Sequence, residues 1–567
     1  MIGAVLRKAR QVAGDPVLRR WLYGRLAGGG GEPAYTPHHP PYLDGMLPLS
    51  AETPVMDWAS LSPARPEAPI DLPLPGETVR VVPGGAGDLV RRAFAEEETG
   101  AAVHRFAWLP LLGAAADPAW VDALWRAWCE RHGTPDQGPA WHPYTAAERA
   151  VNIVEYARHR GLPGPRKKTL GILAGHAPVI ASRLEYFGDH HTSNHLANNG
   201  RGLFLLGLAL GLKRAADMGG RILIEEAARI FSPSGILREG SSHYHLLLTR
   251  VYAEAWLAAR RHGRPETEAL GQVVDKALAV IPHLNLPGGM PLVGDVSPDC
   301  PPGFLIGFAG GDDGWVGGLE DDDRQALTAL RDAVTPIDAE ALAADGWRRA
   351  TFGAWSGLWH GAPGGWSAMP GHGHQDTGGF EVHYGNAPVF RDLGRGAYGE
   401  TGEAAFYRSA LAHNTVVVDG RDPYPPNKPY YDETFRYRIG GPPPRLRPDD
   451  NGITLDHQGF TRLGRVGPLR RRWSFSAAAL RIADRIEGRG RHCVTRRLHT
   501  TLAVERTASG ALLKGETARF RLHADGPVTI EPATFWGAYG SAEPATAIDV
   551  TVATELPWQG VLTVEVD

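Results

Sequence analysis

Two spacings of apolar residues divide this chain. From about residue 88 to about 345 they recur every three or four positions, the helical period. Residues 120–131 show it best: Trp120, Leu124 and Trp128 share one face, and Asp122, Arg126 and Glu130 another. Similar spacing predicts helices near 166–187, 192–217, 219–231, 242–262, 267–281 and 321–333. Thr145 with Glu148 three residues on predicts a capping box at the start of one more helix. Helices joined by Gly/Pro breaks, with no strands between them, predict an all-α domain of paired helices. Near Trp347 the period becomes two, as in Leu480-Arg481-Ile482-Ala483-Asp484-Arg485-Ile486, and stays so to Asp567. That alternation predicts an antiparallel β-sandwich.

Residues before 88 are rich in Pro, Gly and Arg. A short basic helix is expected from Leu6 to Leu26, broken at Gly28 to Gly31, and then an extended segment wrapping the larger body. The expected organisation is therefore 1–87, an irregular extension; 88–345, helical; and 346–567, β-sandwich. The cleft between the last two is the natural site.

Composition narrows the function by exclusion. A net charge of −4 over 567 residues gives no electrostatic case for nucleic acid or an anionic membrane as main partner. No apolar run reaches the length of a membrane span, and the first residues lack the apolar core of a signal peptide. Cytoplasmic placement is the expectation, with an unusual export route to the periplasm left open. Cys129, Cys300 and Cys493 lie far apart and form no disulfide framework. Oligomeric state is not legible.

Candidate chemistry concentrates at three places. The first is 371–376, Gly-His-Gly-His-Gln-Asp, read with Asp392 and 412–415. If extended, it projects His372, His374 and Asp376 to one side, a donor set suited to zinc. The plainer alternative is strand-edge histidines without metal. A hairpin about Gly385-Asn386 would pair Asp392 with Gly379, so joining His374 to Asp392 needs a bend, which the nearby glycines allow. The second is 189–199, where His190, His191, Asn194 and His195 open an apolar helix; such groups are costly to bury without partners and suit a polar cavity. The third is 238–246, where His243, Tyr244 and His245 open another helix; Tyr244 is either an anchoring hydroxyl or, beside a cleft, a proton carrier. Residues 141–144 with Arg149 and Asn152 read as packing, with a substrate subsite as the alternative.

Taken in order, these motifs resemble the heparinase II/III-like polysaccharide lyase superfamily, which includes alginate and heparan lyases. The specific string runs from 371–376 through Val389-Phe390-Arg391-Asp392-Leu393-Gly394 and Phe406-Tyr407-Arg408-Ser409 to Ala412-His413-Asn414-Thr415. The 194–196 and 241–245 motifs match its helical part. The resemblance implies an incomplete (α/α) toroid followed by an antiparallel β-sandwich. It implies β-elimination on an acidic polysaccharide or oligosaccharide: loss of the C5 proton of a uronate as the C4 oxygen leaves. It carries over Asn194, His195 and His372 as charge-neutralising groups, Tyr244 as base, acid or both, and His374, Asp392 and His413 as ligands of a structural zinc. Arg408, His191 and His245 are candidate substrate contacts. A phenol acting as base needs a depressed pKa, which a nearby histidine or a polarised network is expected to supply. The missing signal peptide points to an oligosaccharide substrate inside the cell, or to a different duty. A non-catalytic carbohydrate-binding or cell-envelope protein on the same fold, and a zinc-dependent hydrolase, are the competing readings.

Overall fold

The computed structural model describes residues 9, 12–13, 16–29, 33, 36–62, 65–189, 192–361, 371–425 and 441–567. Helices dominate the chain to Ala344, apart from one short hairpin, and strands dominate the remainder from Trp347. The layout is a helical toroid followed by antiparallel sheets, the fold class expected from the change of period.

The toroid is built on helices Pro143–Arg160, Arg166–Ser182, Asn194–Leu210, Lys213–Ile230, Ser242–Arg261 and Thr267–Leu284. Asn194–Leu210 and Ser242–Arg261 are buried on nearly every face, as inner helices must be. Burial on all sides leaves polar residues dependent on one another. Arg201, 1% exposed, donates to Glu148 Oε1 and Glu254 Oε2, each at 2.5 Å, and Arg250 donates to the second Glu254 oxygen at 2.8 Å. The capping box expected at Thr145 does not form. The helix starts two residues earlier at Pro143, with fixed φ suited to a first turn, and Thr145 lies inside it.

The N-terminal segment runs along the toroid in extended form. Val55 N–H donates to Leu210 O at 2.8 Å, and Leu61 and Leu162 exchange with Leu162 and Ala59. A short hairpin, Ile70–Leu74 with Glu77–Val81, follows. The described N-terminal helix is Pro16–Leu26; the expected start near Leu6 lies outside the described residues.

In the β part, a four-stranded sheet of Trp347–Phe352, Trp355–His360, Gly379–Tyr384 and Ala387–Phe390 packs against a ten-stranded sheet centred on the paired long strands Ala479–Thr500 and Ser541–Val566. Trp355, Trp359 and Phe380 from the first meet Trp473, Phe475 and Leu480 from the second. A register shift between Val382 and His383 offsets the hairpin expected about Gly385. That shift, with the end of the strand at Phe390, lets the Asp392 N–H reach the Glu381 carboxylate at 3.1 Å. Tyr539 joins the two parts, its hydroxyl donating to Glu96 at 2.9 Å. Among the described residues no helix is long and apolar enough to cross a membrane.

The buried carboxylates around Arg201 give a stability prediction. Arg201→Met leaves Glu148 without its cation and is expected to cost about 3–5 kcal/mol, read as a lower denaturant midpoint with an unchanged slope.

Candidate active site

Three inner-helix starts lie together and face a short strap from the β part. Ser241 caps Ser242–Arg261, its Oγ accepting from Tyr244 N–H at 3.1 Å. Asn194 is the first residue of Asn194–Leu210, and Tyr144 lies one residue into Pro143–Arg160. Helix N-termini carry the positive end of the helix dipole, so a junction of three favours an anion.

The strap is 371–374. Its backbone is held on both sides by toroid loops: His372 N–H donates to Glu239 O at 2.8 Å, and Asp295 N–H donates to His372 O at 2.9 Å. The His372 ring lies flat on the Tyr244 ring, centroids 3.5 Å apart and planes 10° from parallel. Its Nε2 is 3.2 Å from the Asn194 amide nitrogen, whose amide and backbone N–H groups are fixed by Glu239 at 2.8 and 2.7 Å. His195 Nδ1 faces Glu185 at 2.7 Å and its ring sits 4.5 Å from that of Tyr144. Tyr144 donates to Asp299 at 2.5 Å, which also accepts from Arg105 at 3.0 Å. Asn194, His195, Tyr244 and His372 thus meet in one place.

Two residues completing this group escaped sequence reasoning. The Tyr398 hydroxyl forms a short hydrogen bond with the Tyr244 hydroxyl, and Asp295 faces His372 Nδ1 at 2.9 Å and His374 Nε2 at 2.7 Å. Both come from irregular segments, where spacing carries no signal about partners.

Electrostatics separate the roles. Burial, reinforced by the Asp299 charge, pushes the Tyr244 phenol well above its ordinary pKa. The expected depression by a neighbouring histidine is absent, because burial and Asp299 both disfavour the phenolate. For His195, burial opposes the charged form, but the Glu185 carboxylate more than offsets it and the pKa rises.

Other expected contacts fall elsewhere. His245 is fully buried in the toroid, its Nδ1 accepting from Leu237 N–H at 3.2 Å and its Nε2 at 2.9 Å from Ala277 O, so it braces the fold and does not reach a substrate. The Arg408 guanidinium pairs with the exposed Glu400 at 2.7 Å; its backbone oxygen accepts from Gln375 N–H at 3.0 Å, steadying the strap. His191 lies outside the described residues. Asp376 does not join His372 and His374, because the strap is not a regular strand; it faces His360 at 2.8 Å.

The zinc set implied by the resemblance fits in part. His374 Nε2 faces Asp295, and His413 Nδ1 faces Asp392 Oδ2 at 2.7 Å. A carboxylate only accepts, so those nitrogens carry hydrogen, and in the neutral imidazoles the others, His374 Nδ1 and His413 Nε2, carry lone pairs. Both are buried and have no hydrogen-bond partner among the described residues, on rings 5.1 Å apart. Carboxylate-oriented imidazoles with a bare inner nitrogen are what a zinc site requires. Asp392, as placed, orients His413 and accepts from Gly394 N–H, and among the described residues no group of three or more His, Cys, Asp or Glu converges to hold a metal.

Comparison with known proteins agrees with this architecture. Residues 335–559 match the family model described as Heparinase II/III-like, C-terminal. Among solved structures, a heparinase III gene product is 17% identical, with 84% of this chain and 80% of that one covered at a TM-score of 0.57. A heparinase III is 15% identical over 84% and 78% of the two chains, TM-score 0.60, and a heparan sulfate lyase from Pedobacter heparinus is 15% identical over the same shares, TM-score 0.51. At these identities the likeness establishes the fold. No curated protein matches. The superfamily resemblance read from the motifs therefore stands.

The His195–Glu185 pair gives a pH prediction. Because the folded pKa is raised, the stabilisation is complete below about pH 6.5, the ordinary histidine value, and fades as pH rises through the folded value. Proton NMR is expected to find His195 titrating above that ordinary value, and nearer to it in Glu185→Gln.

Proposed function

We propose that this chain, whose β part carries a heparinase II/III-like C-terminal domain, is a lyase acting on uronate-containing polysaccharides or oligosaccharides by β-elimination. The observation that supports this most is the flat stack of Tyr244 on His372 at the junction of three helix N-termini.

Removing a proton next to a carboxylate piles charge on an existing anion, so the site must neutralise the acid first. The helix starts, Asn194 and the His195 imidazole are placed for that. When the sugar carboxylate takes the Asn194 amide hydrogen, His372 Nε2 is freed. Asp295 keeps the hydrogen on Nδ1, so Nε2 has a lone pair and takes the C5 proton. This differs from the neutralising role that the resemblance gives His372. The C5–H electron pair forms the C4–C5 double bond, the C4–O bond breaks, and Tyr244, held protonated by burial, gives its hydrogen to the leaving oxygen. Tyr398 then passes a hydrogen to Tyr244 and regains one from solvent as His372 gives up the C5 proton, so all three groups return to their starting state. Stacked groups reach the sugar from one side, which suits uronates whose C5–H and C4–O bonds lie on the same face.

Zinc, when bound, would supply a fixed anchor for the strap, taken up by His374 Nδ1 and His413 Nε2.

Three measurements test this reading. The wild-type protein is expected to release an ultraviolet-absorbing unsaturated uronate from a panel of uronate glycans, and Tyr244→Phe to lower kcat about 10²–10⁴-fold. Cleavage without the chromophore would favour a hydrolase, and binding without cleavage a non-catalytic carbohydrate protein. Elemental analysis is expected to find zinc in the wild type and little in His374→Ala; equal contents would remove the metal.

A further inference from the structure

Asp295 stands in the 285–301 loop of the toroid, outside the segment that matches the family model, yet its carboxylate is the shared partner of two histidines in the β part. Its Oδ2 lies 2.9 Å from His372 Nδ1, and its Oδ1 lies 2.7 Å from His374 Nε2 and 2.9 Å from Arg395 Nη1. Its backbone is pinned as firmly. The N–H donates to His372 O at 2.9 Å, and the carbonyl accepts from Ser241 Oγ at 2.7 Å. Gly294 before it has φ +77°, and a Cβ there would stand 2.4 Å from Gly240 O, so only glycine lets the loop lie so close. The side chain is 7% exposed. This carboxylate has no freedom to serve one histidine without the other.

We propose that Asp295 is a positioning residue that sets the tautomer and ring plane of His372 and His374 together, so that metal retention and the catalytic imidazole depend on one toroid side chain. With hydrogen fixed on His372 Nδ1, Nε2 is turned to Asn194 and the reacting sugar; with hydrogen fixed on His374 Nε2, Nδ1 is left bare on a ring 5.1 Å from that of His413. Arg395 balances the charge. The kinetic part of this inference rests on the lyase reading; the metal and structural parts do not.

The test uses the full-length chain as Asp295→Asn and Asp295→Glu. Competition against a chromogenic chelator is expected to show zinc held about 10–100-fold less tightly in Asp295→Asn. A crystal structure of that variant is expected to show the His372 ring turned off Tyr244. The kcat for chromophore release is expected to fall at least tenfold with KM within threefold. Asp295→Glu keeps the charge and is expected to recover part of each loss, which also covers the case in which Asp295→Asn fails to fold. Zinc affinity and His372 ring orientation equal to wild type in the folded variants would overturn the inference, as would a wild type that takes up no zinc. A wild type that holds zinc but makes no chromophore defeats the lyase reading alone, and the chelator and ring-orientation results still decide on Asp295.

Discussion

Everything at the site depends on one threaded piece of backbone. The strap at 371–374 lies between two toroid loops, hydrogen-bonded to Glu239 on one side and to Asp295 on the other. The approach is close enough that side chains would block it. A Cβ on Gly240 would stand 2.9 Å from Gly373 Cα, and one on Gly371 would stand 2.6 Å from the Glu239 Cβ. The Gly-His-Gly-His alternation therefore does two things. The glycines admit the strap, and the histidines between them project to opposite duties, His372 onto Tyr244 and His374 towards His413.

The toroid contributes what the strap cannot. Its inner helices bring Asn194, Tyr144 and Tyr244 to one end, together with the positive ends of their dipoles. Behind them the buried Glu148–Arg201–Glu254–Arg250 chain fixes the helices that carry these residues. A polar chain of this kind adds little net stability but penalises any shift of one helix against another. These groups are thereby held in fixed relative positions, the preorganisation that the proposed chemistry requires.

Much of the fold was legible because both domains obey simple periods. The apolar stripe of 120–131 and the alternation of 480–486 each reflect one buried face. Local signals fared worse where geometry overrode them. Thr145 and Glu148 spell a cap, but Pro143 already starts the helix. His372, His374 and Asp376 spell one strand face, but the strap bends and sends Asp376 to His360. Tyr398 and Asp295 were invisible as site residues, since each acts on a partner far away in sequence, and long-range pairing leaves no spacing to read. The Tyr244 phenol shows the same limit: its neighbour His372 was legible, but the burial and Asp299 charge that keep it protonated were not.

The central claim is that a uronate binds with its carboxylate at the helix starts and its C5 beside His372. A crystal structure of Tyr244→Phe soaked with a short uronate oligosaccharide tests it most directly. The account predicts the sugar carboxylate within hydrogen-bond reach of the Asn194 amide and C5 next to His372 Nε2. An oligosaccharide bound elsewhere on the chain, or one whose carboxylate points away from Asn194, would contradict it.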